Sequence, residues 1–310
     1  MTILLTGASG LVGRTLLKTA QQRGIKIRPT YRSMDSSMGH PNAVLVAGLD
    51  GGDWSHALQG VSVVIHAAAR AHNMRENAQD PFAEYRRVNV EGTLNLALQA
   101  AAAGVRRFVF ISSIKVNGEV TAPGHTFTSD DIPLPKDAYG QSKAEAEAQL
   151  RKVSQQTQME FTIIRPPLIY GPGVKGNLAT LISCVRLGLP LPLRGVNQNR
   201  RSLVGLDNLV DLILLCADHP KAVNQTFLIS DGEDLSTTEL LKKIGNSLGR
   251  QARLFWVPSW SISLVASLVG KKDISQRLLG SLQVDLKKTS ELLDWKPTVS
   301  IDDGLRRALE

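Results

Sequence analysis

Tyr139 and Lys143 stand four residues apart, a spacing that puts both side chains on one face of a helix. A phenol with a pKa near ~10 is a poor proton donor or acceptor at neutral pH unless a nearby cation stabilises its phenolate. Lys143 can supply that charge and can also hold ribose hydroxyls. Upstream, Ser113 closes the run Arg107-Phe108-Val109-Phe110-Ile111-Ser112 and can hydrogen-bond the oxygen on which such a pair acts. A Tyr and a Lys at this spacing are common, so the pair gains meaning only with a second feature.

That feature is Thr6-Gly7-Ala8-Ser9-Gly10-Leu11-Val12-Gly13, which follows a short apolar run and opens an amphipathic one. Glycines let a backbone turn tightly and approach a pyrophosphate lying at the positive end of a helix. The segment Gly7, Ser9, Gly10, Leu11, Val12 and Gly13 is therefore expected to hold a dinucleotide. NAD enzymes usually place a carboxylate at the end of the second strand, yet 27–32 contains none and Arg32 stands there. A guanidinium binds a 2′-phosphate through two parallel hydrogen bonds. NADP(H) is the favoured cofactor; NAD(H) stays open, because an arginine there can equally be a solvated surface residue.

The elements that must position these groups alternate. Apolar strands are expected at 3–5, 25–27, 43–47, 61–66, 107–112 and 161–165, with helices at 11–23, 80–103 and 138–156 between them. Strands apolar on both faces belong to a parallel sheet covered by helices: an α/β, doubly wound (Rossmann) parallel sheet, whose ligands bind beyond the carboxyl ends of the strands. Pro166-Pro167 and Gly171-Pro172-Gly173 change the texture. The expected division is a dinucleotide-binding domain at 1–166, with 203–230 returning to it, and a smaller C-terminal substrate-binding lobe at 167–310.

The net charge of +8 is spread along 310 residues and aromatic residues are few, which favours small phosphate-bearing ligands over nucleic acid. Two cysteines, Cys184 and Cys216, lack metal-ligand spacing, so no metal site is expected and buried thiols in a reducing compartment are the better reading. Met1 leads directly into the first apolar run, so no signal peptide is read there. The stretch 260–270 is about half the ~20 residues of a membrane span; it is expected to be a buried helix, though it could rest on a membrane surface. A cytoplasmic protein without membrane spans follows.

Nearly the whole chain resembles the extended short-chain dehydrogenase/reductase family. The likeness rests on the loop at 6–13, Val64-Ile65-His66-Ala67-Ala68-Ala69, Asn89-Val90-Glu91-Gly92-Thr93, Phe110 to Gly118, Tyr139-Gly140-Gln141-Ser142-Lys143 and the turn from Arg165 to Gly173. The resemblance implies that Ser113, not Ser112, is the catalytic serine beside Tyr139 and Lys143, and that Asn89 holds the active-site geometry. It adds Asp50, Ala67, Ala68, Ala69 and Pro166 to the cofactor contacts. It implies a UDP- or dTDP-sugar substrate touched by Lys115, Asn177 and Arg201, with Arg277 a further candidate, and a homodimer joined through 80–103 and 138–156.

The sugar-nucleotide 4-epimerase and 4-ketoreductase branch, serving surface polysaccharides, is nearest. Dehydrating relatives carry an Asp-Glu pair where this chain has Ile114 and Lys115, and relatives epimerising beside a ketone use a Cys and a His; both chemistries are disfavoured. Tyr31, Arg32 and Lys115 tilt the reading toward NADPH-dependent reduction of the C4 ketone of a UDP-4-keto-6-deoxy-N-acetylhexosamine. The alternative is a UDP-sugar 4-epimerase with tightly bound NAD. Rivals from other classes are a catalytically silent NADP sensor, a nucleic-acid-binding protein of the same fold, and an enzyme for steroid or phenolic ketones.

Overall fold

The computed structural model describes residues 1–33, 40–70, 80–268 and 272–310. Seven parallel strands form the main sheet in the order β3-β2-β1-β4-β5-β6-β9. They are β1 (Thr2–Thr6), β2 (Lys26–Tyr31), β3 (Val44–Leu45), β4 (Val63–His66), β5 (Arg107–Ile111), β6 (Glu160–Arg165) and β9 (Gln225–Leu228). Side chains alternate across the sheet, so each strand feeds two cores. Ile3, Leu5, Val63, Ile65, Val109 and Ile111 point one way, onto Leu16 and Leu212. Leu4, Val64, Phe108 and Phe110 point the other way, onto Leu96 and Leu150. Each such side chain buried from water contributes about 1.5–3 kcal/mol, which explains why runs this apolar lie in the interior strands.

Helix α1 (Leu11–Gln22) follows β1, and a short helix α2 (Ser55–Leu58) precedes β4. The helix expected at 80–103 is broken into three. Asp80 caps α3 (Pro81–Tyr85) by accepting from Ala83 N at 3.0 Å, a π-helical segment spans Arg86–Glu91, and α4 (Gly92–Ala102) completes it. The widened turn carries Asn89 into the interior, a common use of π-helical insertions. The strand expected at 43–47 shrinks to Val44–Leu45, which pairs with Thr30 and Tyr31. Helix α5 (Ala138–Gln156), capped by Asp137, leads to β6.

A second sheet joins β7 (Leu168–Tyr170), β8 (Arg201–Gly205) and β10 (Asp234–Leu235) in the order β10-β8-β7. It shares a core with α6 (Asn177–Arg186), α8 (Thr237–Ser247) and the C-terminal helix Ile301–Leu309. The segment expected at 203–230 to rejoin the main sheet divides. Residues 203–205 belong to β8 in the small sheet, because Leu203 to Gly205 pair with Leu168 to Tyr170. The next helix, α7 (Leu206–Asp218), packs on the main sheet, and β9 extends it beside β6.

The apolar stretch at 260–270 is not a buried helix. It falls in α9 (Ser259–Leu268), whose Ile262 packs on the small core while Trp260 and Leu264 face solvent, 68% and 53% exposed. Residues 269–270 lie outside the described residues.

Candidate active site

The glycine loop closes through Gly10 N donating to Gly7 O at 2.9 Å. Gly7 has φ +72°, and a Cβ there would sit 2.7 Å from the backbone of Ala67 and Ala68. A Cβ on Gly13 would overlap Gly7 O. Both positions therefore admit only glycine. Gly10 caps α1 without a side-chain hydrogen bond, and no acidic residue lies in the first turn. The N–H groups around Leu11, Val12 and Gly13 keep their positive character for an anion. Ser9 is exposed beside them. These residues fit a dinucleotide.

A chain of buried hydrogen bonds joins this loop to the strand and helix beside it. Ala68 N donates to Thr6 Oγ1 at 3.3 Å, Thr6 Oγ1 meets His66 Nδ1 at 2.6 Å, His66 Nε2 meets Thr93 Oγ1 at 3.0 Å, and Thr93 Oγ1 donates to Asn89 O at 2.6 Å. Because Thr93 spends its proton on a carbonyl, His66 must donate from Nε2 and accept at Nδ1. That requires neutral imidazole, and burial, with Lys143 nearby, lowers its pKa to about 3. Asn89 continues the network: its Oδ1 accepts from Arg70 N at 2.8 Å, and its Nδ2 donates to Arg70 O and to Ser142 Oγ. Ser142 Oγ donates to Tyr139 O at 2.8 Å. Asn89 thus ties the loop that contains Ala67, Ala68 and Ala69 to the first turn of α5.

Two adjacent serines follow β5, and both border the same open cavity, with different hydrogen-bond partners. Ser112 is buried and donates to Glu147 Oε1 at 2.6 Å. Ser113, in extended backbone, caps the short 3-10 turn Ile114–Val116 and lines an open cavity together with Tyr139 and Pro166. Tyr139 meets the edge of Tyr85 at a ring-centroid distance of 6.0 Å.

Sequence reasoning has Lys143 lower the Tyr139 pKa, but in this arrangement the phenol is shifted upward. Burial is the main cause, followed by Asp137 and Tyr85. The Lys143 ammonium instead donates to Ile111 O at 2.8 Å and lies 4.3 Å from the Phe110 ring centroid. Burial lowers its pKa to about 7, and Glu147 partly opposes the fall.

Glu147 was missed in the sequence. Its carboxylate accepts from Arg165 Nε at 2.9 Å and Nη2 at 2.6 Å, as well as from Ser112. Arg165 also donates to Asn117 Oδ1 at 3.0 Å. The signal was present: a carboxylate four residues beyond Lys143 on the buried face of α5, and an arginine at the end of an apolar strand.

The cavity, about 460 Å³, is walled largely by Pro167, Leu168, Leu178, Leu203, Leu240 and Leu282. Asn177, Arg201, Arg277 and Lys115 line it as well. Arg201 donates to Gly280 O at 3.1 Å, and burial with the adjacent charge of Arg277 lowers its pKa to about 10. Among the described residues neither guanidinium has an ion-pair partner. Lys115 differs: its ammonium is held by Asp137 and by Glu119 at 3.0 Å, so its charge is already answered. Asp50 is likewise bound to Arg87. Arg32 is exposed at the end of β2, next to Tyr31, which is buried in the core.

Residues 3–230 match the NAD dependent epimerase/dehydratase family. The chain belongs to that family. Among curated relatives, a UDP-glucose 4-epimerase from Vibrio cholerae is 45% identical over 316 residues, covering 99% of this chain and 94% of that protein. Two solved structures share the fold across the whole chain. The UDP-glucuronic acid 4-epimerase of Bacillus cereus, in complex with NAD, gives a TM-score of 0.80 at 20% identity and is covered to 97%. The UDP-glucose 4-epimerase of Thermotoga maritima, with UDP-glucose, gives 0.77 at 21%, also covered to 97%. As a member of this epimerase/dehydratase family the chain is an NAD-dependent enzyme, and no helix among the described residues is long and apolar enough to cross a membrane.

Proposed function

We propose that the protein is a UDP-sugar 4-epimerase that retains NAD and acts as a cytoplasmic homodimer in the supply of surface polysaccharide precursors. The observation that carries this reading is one cavity lined by Ser113 and Tyr139, by Arg201 and Arg277, and by apolar side chains. The 45% identity to a UDP-glucose 4-epimerase supports the same chemistry. Exposed Phe82 and Leu98 on α3 and α4 support association through those helices.

Bound NAD would supply a reversible hydride acceptor at C4 of the sugar. Tyr139 Oη takes the proton of the C4 hydroxyl and later returns it, while Ser113 Oγ holds that oxygen in place. Lys143 would hold the ribose of the cofactor. The two guanidiniums and Asn177 hold the diphosphate, guanidinium being matched to phosphate geometry. Apolar walls give the sugar few directional bonds, so a keto sugar anchored by its diphosphate can turn and present its other face. In that role Gly7 to Gly13 hold the pyrophosphate of the cofactor, and Ala67 to Ala69 with Pro166 border it.

The features that favoured a reductase lose their weight. Lys115 is neutralised by two carboxylates, Tyr31 is packed in the core, and Arg32 has no hydrogen-bond partner among the described residues that would fix it as a phosphate ligand. Reduction of a 4-keto sugar by NADPH remains the second reading, favoured only by the missing carboxylate at the end of β2. Purified protein should carry NAD and interconvert UDP-glucose and UDP-galactose without net cofactor consumption. Stoichiometric NADPH oxidation with a UDP-4-keto-6-deoxy sugar, and no interconversion, would overturn the proposal.

A further inference from the structure

The small lobe carries a surface that the chemistry above does not use. Backbone hydrogen bonds join 191–194 to 253–255: Leu191 N to Arg253 O, Phe255 N to Leu191 O and Arg194 N to Phe255 O, at 2.9 to 3.2 Å. This ribbon joins the segment that follows α6 to the segment that precedes α9. Leu187, Leu189, Phe255, Trp256, Trp260 and Leu264 all come out exposed, with Leu187 at 73% and Trp256 at 67%. Six large apolar side chains grouped in this way mark an interaction surface, whereas scattered ones do not.

Charge says what covers it. Arg186, Arg194, Arg250 and Arg253 border the patch and are all exposed. Among the described residues none has a carboxylate at ion-pair distance. Several exposed arginines elsewhere are paired, Arg23 with Asp211, Arg86 with Glu145, Arg106 with Asp218 and Arg307 with Asp207, whereas Arg14 and Arg32, also exposed without an ion pair among the described residues, lie apart from any such group of apolar side chains. The two contributing stretches, 161–206 and 240–272, contain no Asp or Glu at all. Tryptophans among unpaired arginines and leucines suit the boundary between anionic headgroups and acyl chains. A second copy of the same face would bring four like charges against four, which disfavours self-association there.

We infer that this face docks the enzyme on an anionic lipid bilayer, with Trp256 and Trp260 entering the interface and the four arginines meeting the headgroups. Helix α6 begins at the substrate cavity with Asn177 and ends at the patch with Arg186. Its ten residues span ~15 Å, so docking holds the cavity close to the membrane. The attachment is peripheral and independent of which sugar is turned over.

The test is sedimentation with vesicles of phosphatidylcholine alone or mixed with phosphatidylglycerol, alongside tryptophan emission. The wild-type protein should bind the mixed vesicles with a blue-shifted emission, bind the neutral ones at least ~10-fold more weakly, and detach as salt approaches ~1 M. Trp256→Ser with Trp260→Ser, and separately Arg250→Glu with Arg253→Glu, should each weaken binding at least ~10-fold. Melting temperature and turnover of soluble nucleotide sugar should stay unchanged in both. No binding by the wild-type protein, or equal binding by the variants, overturns the inference. So does a change of oligomeric mass in the tryptophan variant, which would make the face a contact between copies.

Discussion

Replacing Glu147 with Gln probes the group that organises the floor of the site. Its carboxylate receives Arg165 through two nitrogens and Ser112 through Oγ, and the Glu147 and Arg165 side chains are each only 3% exposed. The amide preserves shape and one acceptor but removes the charge, and turns an NH2 group toward a guanidinium that can only donate. Leaving a buried charge unpaired costs about 3–5 kcal/mol. At roughly 1.5 °C per kcal/mol for a chain of this size, the melting temperature should fall by about 4 to 8 °C. Urea titration should show the same loss as a lower midpoint with an unchanged slope. Glu147→Leu combined with Arg165→Met removes both charges and should cost less than either single change. A loss below about 1 kcal/mol in Glu147→Gln, or a double variant worse than the sum of its parts, would show that water reaches Arg165 and would refute this account of the pair.

Ser112→Ala and Ser113→Ala should separate two neighbours. The first lowers stability by about 1–3 kcal/mol through a buried acceptor left short with little loss of kcat, while the second lowers kcat and leaves the melting temperature in place. Tyr139→Phe should reduce kcat by at least about 100-fold with NAD retention intact; retained turnover would remove Tyr139 from its role. Arg277→Ala should raise KM for the nucleotide sugar with kcat nearly unchanged, since it removes charge from the cavity and no reacting group.

Lys143 adds a pH signature. Its folded pKa of about 7 lies below the ordinary lysine value of 10.5, so between those values the unfolded chain binds one more proton than the native one. Its contribution to stability therefore rises from pH 7 toward 10.5 and is flat below 7, where both states are charged. The difference between wild type and Lys143→Met, followed by denaturant titration across that window, should show this slope, and no slope would refute the shift.

Gly7 and Gly13 were legible because their requirement is local: one needs a left-handed turn and the other a close approach six residues away. The strands were legible because burial on both faces of a sheet leaves only apolar residues, as in Val63–His66 and Arg107–Ile111. The π-helical turn at Arg86–Glu91 was not, because Asn89 turns inward to partners at positions 70 and 142.

By itself, then, the amino-acid order determined the alternation of strands and helices, the glycine cradle and the Tyr139–Lys143 face, all set by backbone geometry over a few residues. Only the tertiary structure decided that Ser112 spends its proton on Glu147, that Lys115 is already paired, that Arg201 and Arg277 converge, and that Trp256 and Trp260 stay outside the core. Each of those depends on which distant side chain arrives within hydrogen-bonding or Coulombic reach. Chain spacing carries no record of that distance.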